Sequence, residues 1–182
     1  MTTVTTERPL RPLPGTPRWR QFADALLCRP DPAIDRRMRQ LLGDDRQWRL
    51  AARLTPYDRK HALAVHDRLV AGGYVDADLL RAALLHDVGK ADERARVGTI
   101  HRVLRVILRR LWPGLLRRLA SVSHPLYLAE HHAALGAAAA RRAGASERCC
   151  GLIAAHESSI EEAASDRLLL ALIAADEGAP LP

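Results

Sequence analysis

Leu79-Leu80-Arg81-Ala82-Ala83-Leu84-Leu85 is a run of strong helix formers that leads into an imidazole and a carboxylate, His86-Asp87, and then Val88-Gly89-Lys90. Asp76 or Asp78 is placed to cap the start of this helix, and Val88-Gly89-Lys90 marks its end. Only Arg81 interrupts the apolar character, so most of the surface of the helix is built to be buried. A carboxylate delivered to the interior by such a helix must be paired, hydrogen-bonded or bound to a metal, because burying it alone is costly.

Leu168-Leu169-Leu170-Ala171-Leu172-Ile173-Ala174-Ala175 repeats the pattern and ends on Asp176. Asp87 and Asp176 therefore follow the two most apolar helical runs of the chain. Histidines on neighbouring helical segments can meet them. His61 lies in the middle of a helix that starts at Thr55, and His132 and His156 lie near opposite ends of a helical hairpin. Imidazole nitrogen with carboxylate oxygen, and no thiolate, suits Mn, Fe, Ni, Co or Zn at a catalytic site. His86 and Asp87 cannot share one face of a straight helix, where successive residues are about 100° apart. At a helix end the backbone can turn and aim both at one ion. Taken singly, each of these residues reads as a cap or a local hydrogen-bonding group; taken together they read as ligands.

Working outward, every further element reads as helix. Ala33 to Leu42 ends at Gly43, and Asp44 or Asp45 caps the next run, which contains Trp48 and Leu54. Thr55-Pro56-Tyr57-Asp58 is a helix start, with Thr as cap, Pro at the first helical position and Asp58 in the capping-box position. This helix runs to Ala71 and stops at Gly72-Gly73. Thr99 to Trp112 is broken from a short continuation by Pro113-Gly114. Pro125 to Ala143 ends at Gly144, Ser146 caps Glu147 to His156, and Ser158 or Ser159 caps a last helix from Ile160 to Asp176. Trp19 to Leu27 is expected to form a short helix after a Pro-rich extended tail over 1–17.

Composition agrees with an all-α fold. The chain has 182 residues, of which 48% are apolar, 27% charged and 4% aromatic, with Val, Ile and Thr sparse beside Ala, Leu and Arg. One core of ordinary size can form at this length. No apolar run approaches the roughly 18 residues of a membrane span, and Met1 to Thr6 has no secretory character, so a cytoplasmic location is expected. Cys28, Cys149 and Cys150 match neither a disulfide framework nor a zinc pair and read as small buried fillers.

The formal net charge of +7 is concentrated in one place. Arg94 to Arg118 contains eight arginines and no acid, so the remainder of the chain is close to neutral. That distribution argues against a nucleic-acid footprint over the whole surface. Within the segment, Ile100, Val103, Leu104, Ile107, Leu108 and Leu111 form a broad apolar face, with Arg102, Arg105, Arg109 and Arg110 as outward candidates. The expectation is a helix packed on the core with its basic face solvated. A nucleotide-attracting rim and an interfacial helix for a membrane or partner, with Trp112 and Leu115-Leu116 contributing, are the alternatives. His66, His101, His124 and His131 read as structural, solvated, loop or cap, and surface residues respectively.

His61, the Leu84-Leu85-His86-Asp87-Val88-Gly89-Lys90 block and Asp176 resemble the signature of the HD-domain metal-dependent phosphohydrolases, which place one His, a His-Asp doublet and a distant Asp on consecutive helices of an all-α core. The resemblance covers Thr55 to Gly178. It divides the chain into a tail (1–17), an N-terminal helical extension (18–54) and an HD domain (55–178). His132-Ala133-Ala134-Leu135-Gly136 and Ile153-Ala154-Ala155-His156-Glu157 are similar to segments of the subfamilies that hold two metals, with Ala155 where those have a further His. The Gly-Tyr-Pro element of the cyclic-di-GMP branch and the Glu that follows the doublet in the nucleotidase branch are absent.

The resemblance implies one ion on His61, His86, Asp87 and Asp176, and either a second ion or a substrate phosphate at His132 and His156. It implies hydrolysis of a phosphoester or phosphoanhydride of a small phosphorylated molecule, a nucleotide foremost, by metal-activated water. Asp87 would bridge ions or orient the water, and Lys90 and Arg94 would offer positive charge to substrate phosphate. Lys90 can equally be a charge that complements a helix C-terminus. The competing expectation is a non-catalytic HD-type module that binds metal, ligand or partner.

Overall fold

Asp31 caps the first helix of the computed structural model, which describes residues 28–182. The expected tail over 1–17 and helix over Trp19 to Leu27 lie outside the described residues. Among the described residues the chain forms ten α-helices and no strand, with one isolated bridge between Ala91 and Arg96. The fold is all-α.

The helix starts are chemically explicit. In α1 (Pro32–Leu42) the Asp31 carboxylate accepts from the Ala33 amide, and Gly43 ends the helix at φ 66. Asp44 caps α2 (Asp45–Ala51), Thr55 caps α3 (Pro56–Ala71) and Asp76 caps α4 (Ala77–Leu85). A 3-10 turn (Val88–Lys90) follows α4. Next come α5 (Thr99–Leu111), α6 (Pro113–Val122), α7 (His124–Arg142) and α8 (Glu147–Ala155), the last capped by Ser146. Such caps are worth about 1 kcal/mol each.

The expected last helix from Ile160 to Asp176 is in fact two. A capping box between Ser159 and Glu162 opens α9 (Ile160–Ala163), and Asp166 caps α10 (Arg167–Glu177) by accepting from the Leu168 and Leu169 amides. Arg148 holds the Asp166 carboxylate with two hydrogen bonds of 2.7 and 2.6 Å. Asp166 is thus committed to starting a helix and cannot sit inside one.

One core unites α1, α3, α4, α8 and α10. Met38 and Leu42 of α1, Leu69 of α3, Leu84 and Leu85 of α4, Ile153 of α8 and Leu172 of α10 belong to a single buried cluster. Burying a leucine contributes about 2 kcal/mol. Leu84, Leu85 and Leu172 therefore fix the C-terminal ends of α4 and α10, where Asp87 and Asp176 emerge.

Helix α5 faces the opposite way from the expectation. Arg102 and Arg105 turn inward, whereas Ile100, Val103, Val106, Ile107 and Leu111 are exposed. The cause is Asp58, whose carboxylate is buried in the first turn of α3. Arg102 reaches it with contacts of 2.6 and 2.5 Å. Arg105 bonds Glu130 at 3.0 Å and both oxygens of Glu157 at 3.0 and 2.9 Å. A buried acid demands a cation, and Arg102 on α5 supplies it to Asp58. Leu108 alone of the expected apolar face is fully buried, while Arg109 and Arg110 are exposed as expected.

Candidate metal centre

His86 occupies the C-cap of α4, and Asp87 begins the turn that follows. The helix end lets the two adjacent side chains point into one space, with His86 Nε2 lying 3.5 Å from the Asp87 carboxylate. The 3-10 turn then lies against α7, which carries His132. His156 caps α8, His61 projects from the middle of α3, and Asp176 lies in the last turn of α10. All six residues expected as ligands converge.

They form two groups whose candidate ligand atoms all lie within 4.8 Å of one another: His61, His86 and Asp176, and Asp87, His132 and His156. In the first, His61 Nε2 is 2.6 Å and His86 Nε2 is 3.6 Å from Asp176 Oδ1. In the second, the Nε2 atoms of His132 and His156 lie 3.7 and 3.9 Å from Asp87 Oδ1. The ring of His156 lies between those of His86 and His132, edge-on to each, with centroids 5.1 Å apart at both steps.

Each of these three rings is held from behind. The Nδ1 atoms of His86, His132 and His156 lie 2.9, 3.0 and 2.7 Å from the carbonyls of Ala83, Ala129 and Ile153, three residues back on their own helices. A carbonyl can only accept, so each Nδ1 carries the proton. In a neutral ring Nε2 is then a lone-pair donor facing the centre, the arrangement by which protein scaffolds orient metal-ligating histidines. Two buried atoms lack a well-formed hydrogen bond: His86 Nε2, which lies 3.5 and 3.6 Å from the carboxylates of Asp87 and Asp176, and Asp87 Oδ1, whose near neighbour is the Lys90 ammonium at 2.7 Å. Buried polar atoms seldom stay unsatisfied, and His86 Nε2 faces the carboxylates of the centre. The donor set and the unsatisfied His86 Nε2 fit a divalent cation.

The electrostatics follow from this crowding. Burial pushes the Asp87 carboxyl upward, but the charges of His86 and Lys90 outweigh it and hold the group well below the carboxylate range. Burial pushes Asp176 up as well, but its hydrogen bond with His61 and the neighbouring His86 ring 3.6 Å away hold it low. Burial first, and then the Lys90 charge, push His132 down to about 4. Burial and the His86 charge lower His156. His132 and His156 are thus neutral and ligand-ready at neutral pH. Burial lowers His86 too, but Asp87 and Asp176 overcome it and raise the ring well above its ordinary value.

Lys90 lies on the site, with Nζ 2.7 Å from the Asp87 carboxylate. Arg94 is exposed on the loop that follows, with no ion pair among the described residues. His66 is buried beside Asp67, His124 opens α7 and pairs with Asp92 at 2.6 Å, and His131 is exposed against Tyr127. His101, expected to be solvated, is half-buried with a shielded Nδ1, because it lies on the inward face of α5. Cys149 and Cys150 are buried, and burial pushes the Cys149 thiol up to about 12, so it is no thiolate at neutral pH.

Three residues near the centre were not expected there. Glu157 Oε1 lies 3.8 Å from His132 Nε2, and Arg105 and Arg102 tie α5 to both sides of the cluster. In the sequence Glu157 enters only as the last residue of the Ile153–Glu157 segment, with no role assigned to it. No family model matches the chain, and neither a curated protein nor a solved structure does.

Proposed function

We propose that the chain is a metal-dependent phosphohydrolase of the HD type that cleaves a phosphoester or phosphoanhydride of a small phosphorylated molecule, a nucleotide foremost. One observation carries the reading: three buried imidazoles, each anchored through Nδ1, turn Nε2 toward the carboxylates of Asp87 and Asp176. His61, His86 and Asp176 would hold one divalent ion (Mn, Fe, Co, Ni or Zn), and Asp87, His132 and His156 a second. When bound, such an ion supplies Lewis acidity toward water and toward a phosphoryl oxygen at neutral pH.

The chain's own groups do the rest. Asp87 stays ionised and offers its carboxylate, which Lys90 holds in place, as an acceptor that orients the attacking water. Lys90, one-fifth exposed, stands beside Asp87 where an incoming phosphate would meet its charge. Arg105 fixes Glu157 next to His132 and brings a second cation to the same side. Water adds to phosphorus, the bond from phosphorus to the leaving oxygen breaks, and that oxygen takes a proton.

The test measures metal content by plasma mass spectrometry on protein purified without chelator, then hydrolysis of nitrophenyl phosphoesters and nucleotides, with His86→Ala as control. Bound metal with turnover that His86→Ala abolishes supports the reading. Turnover undiminished in His86→Ala places the chemistry elsewhere. Bound metal with no hydrolysis of any ester or anhydride makes the chain a non-catalytic binding module.

A further inference from the structure

Turning its arginines inward leaves α5 with an apolar face that nothing among the described residues covers. Ile100 is 71% exposed, Val106 and Leu111 56% each and Trp112 58%, with Val103, Ile107 and Leu115 also open to solvent. On the helix the exposed residues from Val106 through Val103 to Leu111 span about 140° of arc, and α5 is about 20 Å long. A contiguous apolar stripe of this kind on a folded chain marks an interaction site. Arg110 lies within the stripe, Arg109 beside it, and Arg117 and Arg118 follow Leu115 on α6. All four are exposed and make no ion pair among the described residues.

We infer that the α5–α6 corner docks on an anionic membrane surface, with the stripe entering the boundary between headgroups and acyl chains and the four arginines meeting lipid phosphates. Charge complementarity selects this occupant. The segment from Arg94 to Arg118 holds no acid, so a symmetric contact with a second copy would bring like charges together. Residues 1–27 carry Arg8, Arg11, Arg18 and Arg20 against Glu7 and Asp24, so that segment is itself basic. An anionic bilayer offers both a hydrocarbon phase and negative charge, and basic amphipathic helices use both. Long arginine stems lie along the apolar surface while the guanidinium reaches phosphate, and tryptophan favours the interface. Among the described residues no helix is long and apolar enough to cross a membrane, so the contact is with one surface.

The experiment is cosedimentation of the full chain with vesicles of equal parts phosphatidylglycerol and phosphatidylcholine, and with phosphatidylcholine alone. Binding to the anionic vesicles is expected to be at least about tenfold tighter and to weaken in high salt. Ile107→Asp and Arg110→Glu, both at exposed positions and checked for helicity by circular dichroism, are each expected to lower it at least about tenfold. Failure of the wild type to sediment with anionic vesicles would overturn the inference, as would unchanged binding by folded Ile107→Asp. A concentration-dependent dimer that Ile107→Asp dissolves would assign the face to a second copy instead. Sedimentation needs no turnover, so this result is independent of the proposed hydrolase activity.

Discussion

Gly89 and Gly136 meet backbone to backbone beneath the candidate centre. A methyl group on Gly89 would lie 2.6 Å from the Gly136 amide nitrogen and would also strike the His132 carbonyl. This contact seats the His86–Asp87 turn on the part of α7 that carries His132, and it tolerates only hydrogen at position 89. Gly89→Ala is therefore expected to destabilise the fold by about 3 kcal/mol and to lose bound metal. Gly151 of α8 has nothing within 4 Å of its missing methyl group, so Gly151→Ala is expected to stabilise by about 0.5–1 kcal/mol. Urea unfolding and metal content of both variants check the pair. A Gly89→Ala protein as stable and as metal-loaded as wild type would remove the contact from the account.

The two ligand groups predict separable metal loss. His132→Ala removes one of three donors from the group built on Asp87 and leaves His61, His86 and Asp176 intact. Metal content is expected to fall by half on this change, while His86→Ala, which also strips the partner that holds Asp87 ionised, empties both groups. Equal metal content in wild type and His132→Ala would reassign His132 to substrate phosphate.

The two carboxylates could be found by reading the sequence because a polar pair at the end of a long, largely apolar run has few structural uses. Asp87 and Asp176 stand out against Leu79–Leu85 and Leu168–Ala175. The facing of α5 could not be found this way. Periodicity tells which residues share a face, but not whether that face meets core or solvent. The decision lies with Asp58, which in sequence is an ordinary first-turn acid and in the fold is a buried carboxylate that needs Arg102. The break at Asp166 was hidden for a related reason, since its capping role competes with an apolar period that runs straight through it.

Arg102 and Asp58 allow burial to be weighed against charge. Removing Arg102 leaves a carboxylate only 2% exposed without its cation, so Arg102→Met is expected to cost about 3 kcal/mol. Arg37 and Asp67 make a comparable bidentate pair at 2.7 Å, but their side chains are 52% and 37% exposed. Arg37→Met is expected to cost less than about 1 kcal/mol, because water screens the pair. Chemical denaturation of both variants decides the matter, and equal costs would mean that Asp58 gains water once Arg102 is gone.

Without metal, His132 and His86 respond to pH in opposite directions. Burial, helped by Lys90, lowers His132 from 6.5 to about 4 in the fold. Between those values the unfolded chain takes up a proton that the folded chain refuses. The stability due to this residue is therefore present above about pH 6.5 and is lost as pH falls toward 4, on the order of 3 kcal/mol in all. His86 is raised, with Asp87 and Asp176 outweighing burial, so its contribution is complete below pH 6.5 and fades as pH rises through its folded value. In chelator, His132→Gln is expected to flatten the fall in unfolding free energy between about pH 6.5 and 4.5. His86→Gln is expected to be most destabilising at the acidic end of the same window. Urea titrations across that window test both signs. A His132→Gln protein that keeps the wild-type slope would show that His132 takes up its proton in the folded chain as readily as in the unfolded one.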